Sequence, residues 1–472
     1  MLYNSFEFLL FFPIVAIGYY LTGGGKSLSN SWLLLASYYF YINLKPIYAL
    51  ILLASTLITF FCGLLLERNA ESVRKKKTIL TASLVLNFSM LFVFKYYNFI
   101  NGSIESLMSS VGLRWNVPYL NVLLPVGISF FTFQAAGYII DVYRGTVKAE
   151  KNFLTYALFV SFFPVILAGP IQRAKNLIPQ LKQKHPVLYD NVIGGLKMML
   201  WGYFMKLCVA DRLGTYVDAA YSNYAIHNGT TLAIAAIFYS IQIYCDFAGY
   251  SLTAIGCARV MGFTLPENFK RPYFSTSIQD FWRRWHIALS TWFRDYLYIP
   301  LGGNRVKYSR YLVNILIVFL VSGLWHGAGW TFVVWGGLHG IFQVIESLMK
   351  RNNKTENTLP MTGRLCKIVV TFLLATIAWV FFRADSLEMA CTIVGKTFSD
   401  FGKPFISPEA MLFGLLSILI LSAKDIADEF YPRIAVLNSS NKYISGIAFS
   451  VLTVYIILFG VLDGSQFIYF QF

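Results

Sequence analysis

Residues 311–345 read Tyr311-Leu-Val-Asn-Ile-Leu-Ile-Val-Phe-Leu-Val-Ser-Gly-Leu-Trp-His-Gly-Ala-Gly-Trp-Thr-Phe-Val-Val-Trp-Gly-Gly-Leu-His-Gly-Ile-Phe-Gln-Val-Ile345, without a lysine, arginine, aspartate or glutamate. A helix crosses a bilayer with about 20 predominantly apolar residues, so this run is too long for one span. Gly323, Gly327 and Gly329 interrupt it, which predicts two helices, the first ending at His326 and the second bearing His339. Uncharged runs of spanning or near-spanning length recur at 8–22, 31–44, 46–66, 78–94, 117–140 and 153–172, and near 191–205, 229–245, 365–382, 410–423 and 444–462. The expectation is an all-α polytopic membrane protein with about 11 to 13 transmembrane or re-entrant helices. It is read as one domain over 1–472. No internal repeat is visible, which weighs against the inverted-repeat design of secondary transporters.

Composition agrees. Of 472 residues, 57% are hydrophobic and 13% charged, roughly half the charge of a soluble protein. Lys+Arg 39 against Asp+Glu 23 leaves +16. In a soluble chain that excess would suggest nucleic acid; here it fits cytoplasmic loops, which gather Lys and Arg, and no nucleic-acid partner is expected. Arg68, Arg74, Lys75, Lys76 and Lys77 mark a cytoplasmic loop, and counting back places the N-terminus outside with Lys26 in the cytoplasm. Phe8 to Leu21 lacks a basic n-region and a cleavage site, so it reads as a retained span. The six cysteines are scattered, with no pair at CxxC or metal-ligand spacing, and predict no disulfide framework.

The hydrophilic region 264–310 is different in kind. Basic residues (Lys270, Arg271, Arg283, Arg284, Arg294, Arg305, Lys307) are interleaved there with Trp282, Trp285, Trp292, Tyr296 and Tyr298. Ser277 with Asp280 forms a capping-box pattern, and Pro300 stops a helix. At 100° per residue Trp282, Trp285, His286, Leu289, Trp292, Phe293 and Tyr296 share one face, with Arg283, Arg284, Arg294 and Asp295 opposite. This predicts an amphipathic helix at the membrane interface, with His286 on its aromatic face.

Only five histidines occur. His185 and His227 lie in polar loops. His326, flanked by glycine, is either a hydrogen-bonded packing residue or a functional one, since ionisable groups at membrane depth by default suggest function. His339 reads as packing or support. Zinc would need ligands at shorter spacing and a completing carboxylate or cysteine; neither occurs, and no metal is expected. A nucleophile elbow, a P-loop and a GxGxxG fingerprint are also missing. Asp246, in Gln242-Ile-Tyr-Cys-Asp-Phe-Ala-Gly-Tyr-Ser251, is either an orienting carboxylate or half of a structural ion pair, the latter favoured.

These stretches together resemble a known family. Phe281-Trp-Arg-Arg-Trp-His-Ile-Ala-Leu-Ser-Thr-Trp-Phe-Arg-Asp-Tyr-Leu-Tyr-Ile-Pro-Leu-Gly-Gly-Asn-Arg305 is similar to the signature loop of bacterial membrane-bound O-acyltransferases. Ser322-Gly-Leu-Trp-His-Gly-Ala-Gly-Trp330 is similar to the segment bearing their invariant histidine. Phe162-Phe-Pro-Val-Ile-Leu-Ala-Gly-Pro-Ile171 and Tyr244-Cys-Asp-Phe-Ala-Gly-Tyr-Ser251 match in order. The Leu-Gly-Gly-Asn-Arg ending fits the alginate and peptidoglycan O-acetyltransferase branch better than the teichoic-acid one.

The resemblance implies acyl transfer, most often of acetyl, from a cytoplasmic thioester (acetyl-CoA or an acyl carrier protein) to a hydroxyl. That hydroxyl belongs to an extracytoplasmic glycan or to a partner acetyltransferase of SGNH or alginate type. It implies a bacterial cytoplasmic membrane location and no bound cofactor. His326 would be the general base, with His286 across the site and Trp285 and Trp325 walling it. Asp246, Arg294, Asp295 and His339 would support them. Arg283 and Arg284, with Arg294, would hold donor phosphates or, equally, lipid headgroups. The rival is a polar-solute or glycan transporter using an intramembrane His/Asp relay.

Overall fold

A computed structural model describes residues 1–25, 27–352, 360–431, 436–437, 439, 441–462 and 467–468. Lys26, invoked above for orientation, lies outside them. Among the described residues there are helices and no strands. Eight helical stretches are long and apolar enough to cross a membrane: 46–68, 73–110, 189–222, 229–260, 308–326, 330–351, 361–383 and 442–459. The protein is an all-α polytopic membrane protein.

Several expected runs form shorter or broken helices, for visible reasons. The run 117–140 is helical only from Ile128; Pro118 and Pro125 precede it, and Gly127 turns the chain with φ 77°. The run 153–172 breaks between Ser161 and Phe163, ahead of Pro164. The run 311–345 splits as expected, into Tyr308–His326 and Trp330–Asn352.

The chain divides into two compact units. The first comprises Met1–Ile193 and Cys257–Leu265. Its helices are joined by aromatic packing, with the Phe40 ring against Phe8, Phe11 and Phe163 and Phe11 against Phe163, and by hydrogen bonds between polar side chains. Tyr156 donates to Thr59 at 2.6 Å, and Ser55 donates to Asn87 at 2.7 Å. In lipid, where apolar surface gives little drive for helix association, such contacts hold helices together.

The second unit comprises Gly194–Gly256 and Pro266–Phe472 and contains every candidate site residue. Its central hairpin, Tyr308–His326 with Trp330–Asn352, is tightly apposed. A Cβ on Gly323 would fall 2.3 Å from the Phe332 carbonyl oxygen, and one on Gly336 would fall 2.3 Å from that of Phe319. Only glycine permits this approach. It fixes the hairpin one turn before His326 and next to Trp335.

Candidate active site

The amphipathic helix expected after Ser277, with its aromatic face from Trp282 to Tyr296, is not continuous. Ile278–Arg284 is helical, Trp285 is extended, and His286 takes φ 43°, ψ 54° before Ile287–Phe293 resumes. A π-helical turn, Arg294–Tyr298, follows. Half of the capping box forms as expected: Asp280 N–H donates to Ser277 Oγ at 3.1 Å, while the Asp280 carboxylate accepts from Thr276 N–H. The break has a tertiary cause. Lys270 N–H donates to the Arg284 carbonyl at 2.8 Å, and Ile287 N–H donates to the Asn268 carbonyl at 2.9 Å. Left-handed backbone costs a non-glycine residue on the order of 1–3 kcal/mol, and among the described residues only Arg271 and His286 adopt it outside glycine. The aromatic face survives the break: Trp282, Trp285, His286, Leu289, Trp292 and Phe293 are buried, and Arg283 and Arg294 are exposed.

The break aims His286 at the end of the central hairpin. Its ring centroid lies 6.3 Å from that of His326, 5.9 Å from Trp325 and 4.6 Å from Phe247. His326 is the last residue of its helix, with Trp325 at 4.9 Å, Trp335 edge-on at 4.8 Å and Phe382 at 5.5 Å. Trp335 stacks on Trp379, which lies 4.9 Å from Trp285. Two histidines from different helices thus share one aromatic enclosure. Burial pushes the His286 imidazole down to about 3, so it is neutral at physiological pH. His339 accepts a hydrogen bond from Trp282 Nε1 on its Nδ1 at 3.2 Å, which places its own proton on Nε2. Its ring centroid is 5.1 Å from Trp335, so it braces the wall beside His326.

Asp246 sits elsewhere. Its carboxylate takes Lys206 Nζ at 2.6 Å and Ile468 N–H at 2.8 Å, and Lys206 also pairs with Asp211 at 2.8 Å. This is a buried structural ion cluster; the next residue, Phe247, is the one that touches His286.

The arginines separate by role. Arg284 is held by Asp280 at 3.2 Å and Glu429 at 3.0 Å, and the same Glu429 binds Arg271 at 2.9 Å and Arg364 at 3.6 Å. Burial alone would raise the Glu429 carboxyl, but its bonds to Arg271 and Arg284 outweigh that and hold it below the usual range. Arg283 and Arg294 instead line a cavity of about 590 Å³ together with Trp282, Ser290, Phe319 and Ser322. Arg294 pairs with its neighbour Asp295 at 2.9 Å. A second cavity of about 710 Å³ shares Gln279, Arg294, Tyr298 and Tyr311 with the first and adds Lys350 and Arg351. Ile287 and Ser322, respectively next to His286 and one turn before His326, line the first cavity, so it borders both histidine-bearing segments as well as Arg283 and Arg294.

The family model for membrane-bound O-acyltransferases matches residues 149–384, the stretch holding both histidines. The chain belongs to the membrane-bound O-acyltransferase family. It is 39% identical over 405 residues to the probable alginate O-acetylase AlgI of Pseudomonas aeruginosa, covering 84% of this chain and 75% of the relative. With the probable AlgI of Azotobacter vinelandii it shares 38% over 445 residues, 92% of this chain and 86% of that one. With the peptidoglycan O-acetyltransferase of Helicobacter pylori it shares 34% over 427 residues, 84% and 79%.

This O-acyltransferase therefore presents two enclosed imidazoles and a cavity lined by residues adjoining them. Sequence reasoning missed Trp335, Trp379 and Phe382, which lie in apolar runs where one aromatic reads like another. It also missed Glu429 and Asn268, single polar residues far from or outside the recognisable stretches, for which the sequence carries no local signal.

Proposed function

We propose that this O-acyltransferase moves an acetyl group from a cytoplasmic thioester to the hydroxyl of an extracytoplasmic polysaccharide, or of a partner acetyltransferase of SGNH or alginate type that passes it on. The supporting observation is the pairing of His286 with His326, ring centroids 6.3 Å apart, beside a cavity whose wall includes the adjoining Ile287 and Ser322 together with Arg283 and Arg294.

His326, as neutral imidazole, takes the proton of the acceptor hydroxyl. The oxygen attacks the thioester carbonyl, the C–S bond breaks, and the thiolate leaves with the proton from His326. His286 donates to the carbonyl oxygen as negative charge develops on it. Trp285, Trp325 and His339 hold the enclosure. Arg283 and Arg294 receive the phosphates of the donor, acetyl-CoA or a carrier-protein thioester. Arg284, engaged by Glu429, has a structural role, as has Asp246. Direct transfer is favoured over an acyl-enzyme, because Ser290 donates to the Trp285 carbonyl rather than to a base. The two compact units act as one functional domain in the bacterial cytoplasmic membrane, with Arg68 to Lys77 on the cytoplasmic side and the N-terminus outside.

The test is the O-acetyl content of surface glycans in cells carrying wild type, His326→Ala or His286→Ala at matched membrane levels. Loss with both supports the pairing; unchanged acetylation with both overturns it.

A further inference from the structure

We propose that Asn268 is the positioning residue for His286. The Ile287–Phe293 helix places His286 at its N-cap, and no bond from the imidazole caps its first turn. First-turn N–H groups require acceptors from outside the helix, and Asn268 supplies two. Its carbonyl oxygen takes Ile287 N–H at 2.9 Å, and its side-chain Oδ1 takes Ala288 N–H at 3.2 Å. Asn268 is 1% exposed, so both bonds form away from water. Capping is thereby done by a residue on another segment, and the His286 ring is left to face Phe247, Trp325 and His326.

The competing conformation is specific. Residues 278–296 carry the periodicity of one continuous helix, and a continuous helix would give His286 ordinary right-handed backbone and turn its ring away from His326. The two bonds from Asn268, with the Lys270 to Arg284 bond beside them, hold the chain in the left-handed turn against that preference. The oxygen of the side chain does this; its Nδ2 has no partner among the described residues. An aspartate therefore substitutes for it, as at N-caps generally. The kinetic consequence rests on the role given to His286 above, whereas the conformational one does not.

The full chain, purified in detergent, tests both through Asn268→Ala, Asn268→Asp, His286→Gly and the double variant Asn268→Ala/His286→Gly. Asn268→Ala is expected to lower kcat for acetyl transfer at least about tenfold while the donor KM stays within about twofold. Asn268→Asp restores most of that loss. Glycine enters the left-handed turn freely, so Asn268→Ala should lower the thermal midpoint much less in the His286→Gly background than in wild type. Equal shifts in the two backgrounds, or a change confined to KM, overturns the proposal. Should Asn268→Ala not accumulate, Asn268→Gln keeps the amide but displaces its oxygen by a methylene; the same kcat loss supports the proposal and wild-type kcat overturns it. If His326→Ala retains transfer, the reading of the site fails, and the thermal comparison still decides the positioning.

Discussion

Two buried polar regions lie on either side of one peptide bond in the Gly229–Val260 helix. Asp246 belongs to an ion cluster with Lys206 and Asp211, whereas Phe247 packs on the ring of His286. In the first region opposite charges meet at 2.6 and 2.8 Å. In the second, the rings of Trp325, Trp335, Phe247 and Phe382 surround two imidazoles. A charge buried in low dielectric must be paired, and once paired its proton affinity is committed to the partner. Burial among aromatic rings instead lowers the proton affinity of the His286 imidazole and favours its neutral form. Paired charge builds the scaffold, and the imidazoles are the residues to which the proposed function gives the chemistry.

The sharpest way to break this contrast is His326→Ala. Loss of a general base is expected to cost about 10²- to 10⁴-fold in transfer rate with normal membrane levels, measured as acetyl transfer in vesicles; a residual rate near wild type places the base elsewhere. The ion cluster should respond in the opposite manner. Lys206→Met leaves two carboxylates buried without their cation, and is expected to cost about 3–5 kcal/mol of stability, seen as lost folded protein in detergent. Lys206→Met with Asp246→Leu and Asp211→Leu should recover folding and activity together. Failure to recover activity in a folded triple variant would give the cluster a catalytic part.

The arginines allow a finer cut. Arg294→Ala removes a cation from the cavity wall and should raise the donor KM about tenfold, the worth of a charged hydrogen bond. Arg284→Ala should leave that KM unchanged and lower the thermal midpoint, because its partners are Asp280 and Glu429. Steady-state kinetics on both variants separates the roles. The smallest effect concerns backbone alone: His286→Gly should be more stable than His286→Ala by about 1 kcal/mol in thermal unfolding, with both inactive.

The sequence announced the membrane helices because a long uncharged run has few alternatives in lipid. It announced the hairpin break at Gly327–Gly329 and the end of the helix at His326 because glycine acts locally. The buried side of the 278–296 segment was also legible, since periodicity reports which face is apolar whether or not the helix is continuous. The turn at His286 was not, because neither Trp285 nor His286 is a helix breaker and the bonds that impose it come from Asn268 and Lys270. Arg284 was read from its charge, and a charge pattern cannot tell a ligand-binding cation from one engaged by a carboxylate far along the chain.

That distant carboxylate has a consequence in time. Glu429 lies 145 residues after Arg284 and 158 after Arg271. At about 5–20 residues per second of synthesis, both arginines emerge roughly 7 to 30 seconds before their partner exists. During that interval Arg284 has only Asp280 as a carboxylate partner and Arg271 lacks its own; afterwards both share Glu429. The turn at His286 has its local bonds from Asn268 and Lys270 early, but the bridge that ties Arg271 to Arg284 forms only when the Pro408–Phe430 helix arrives.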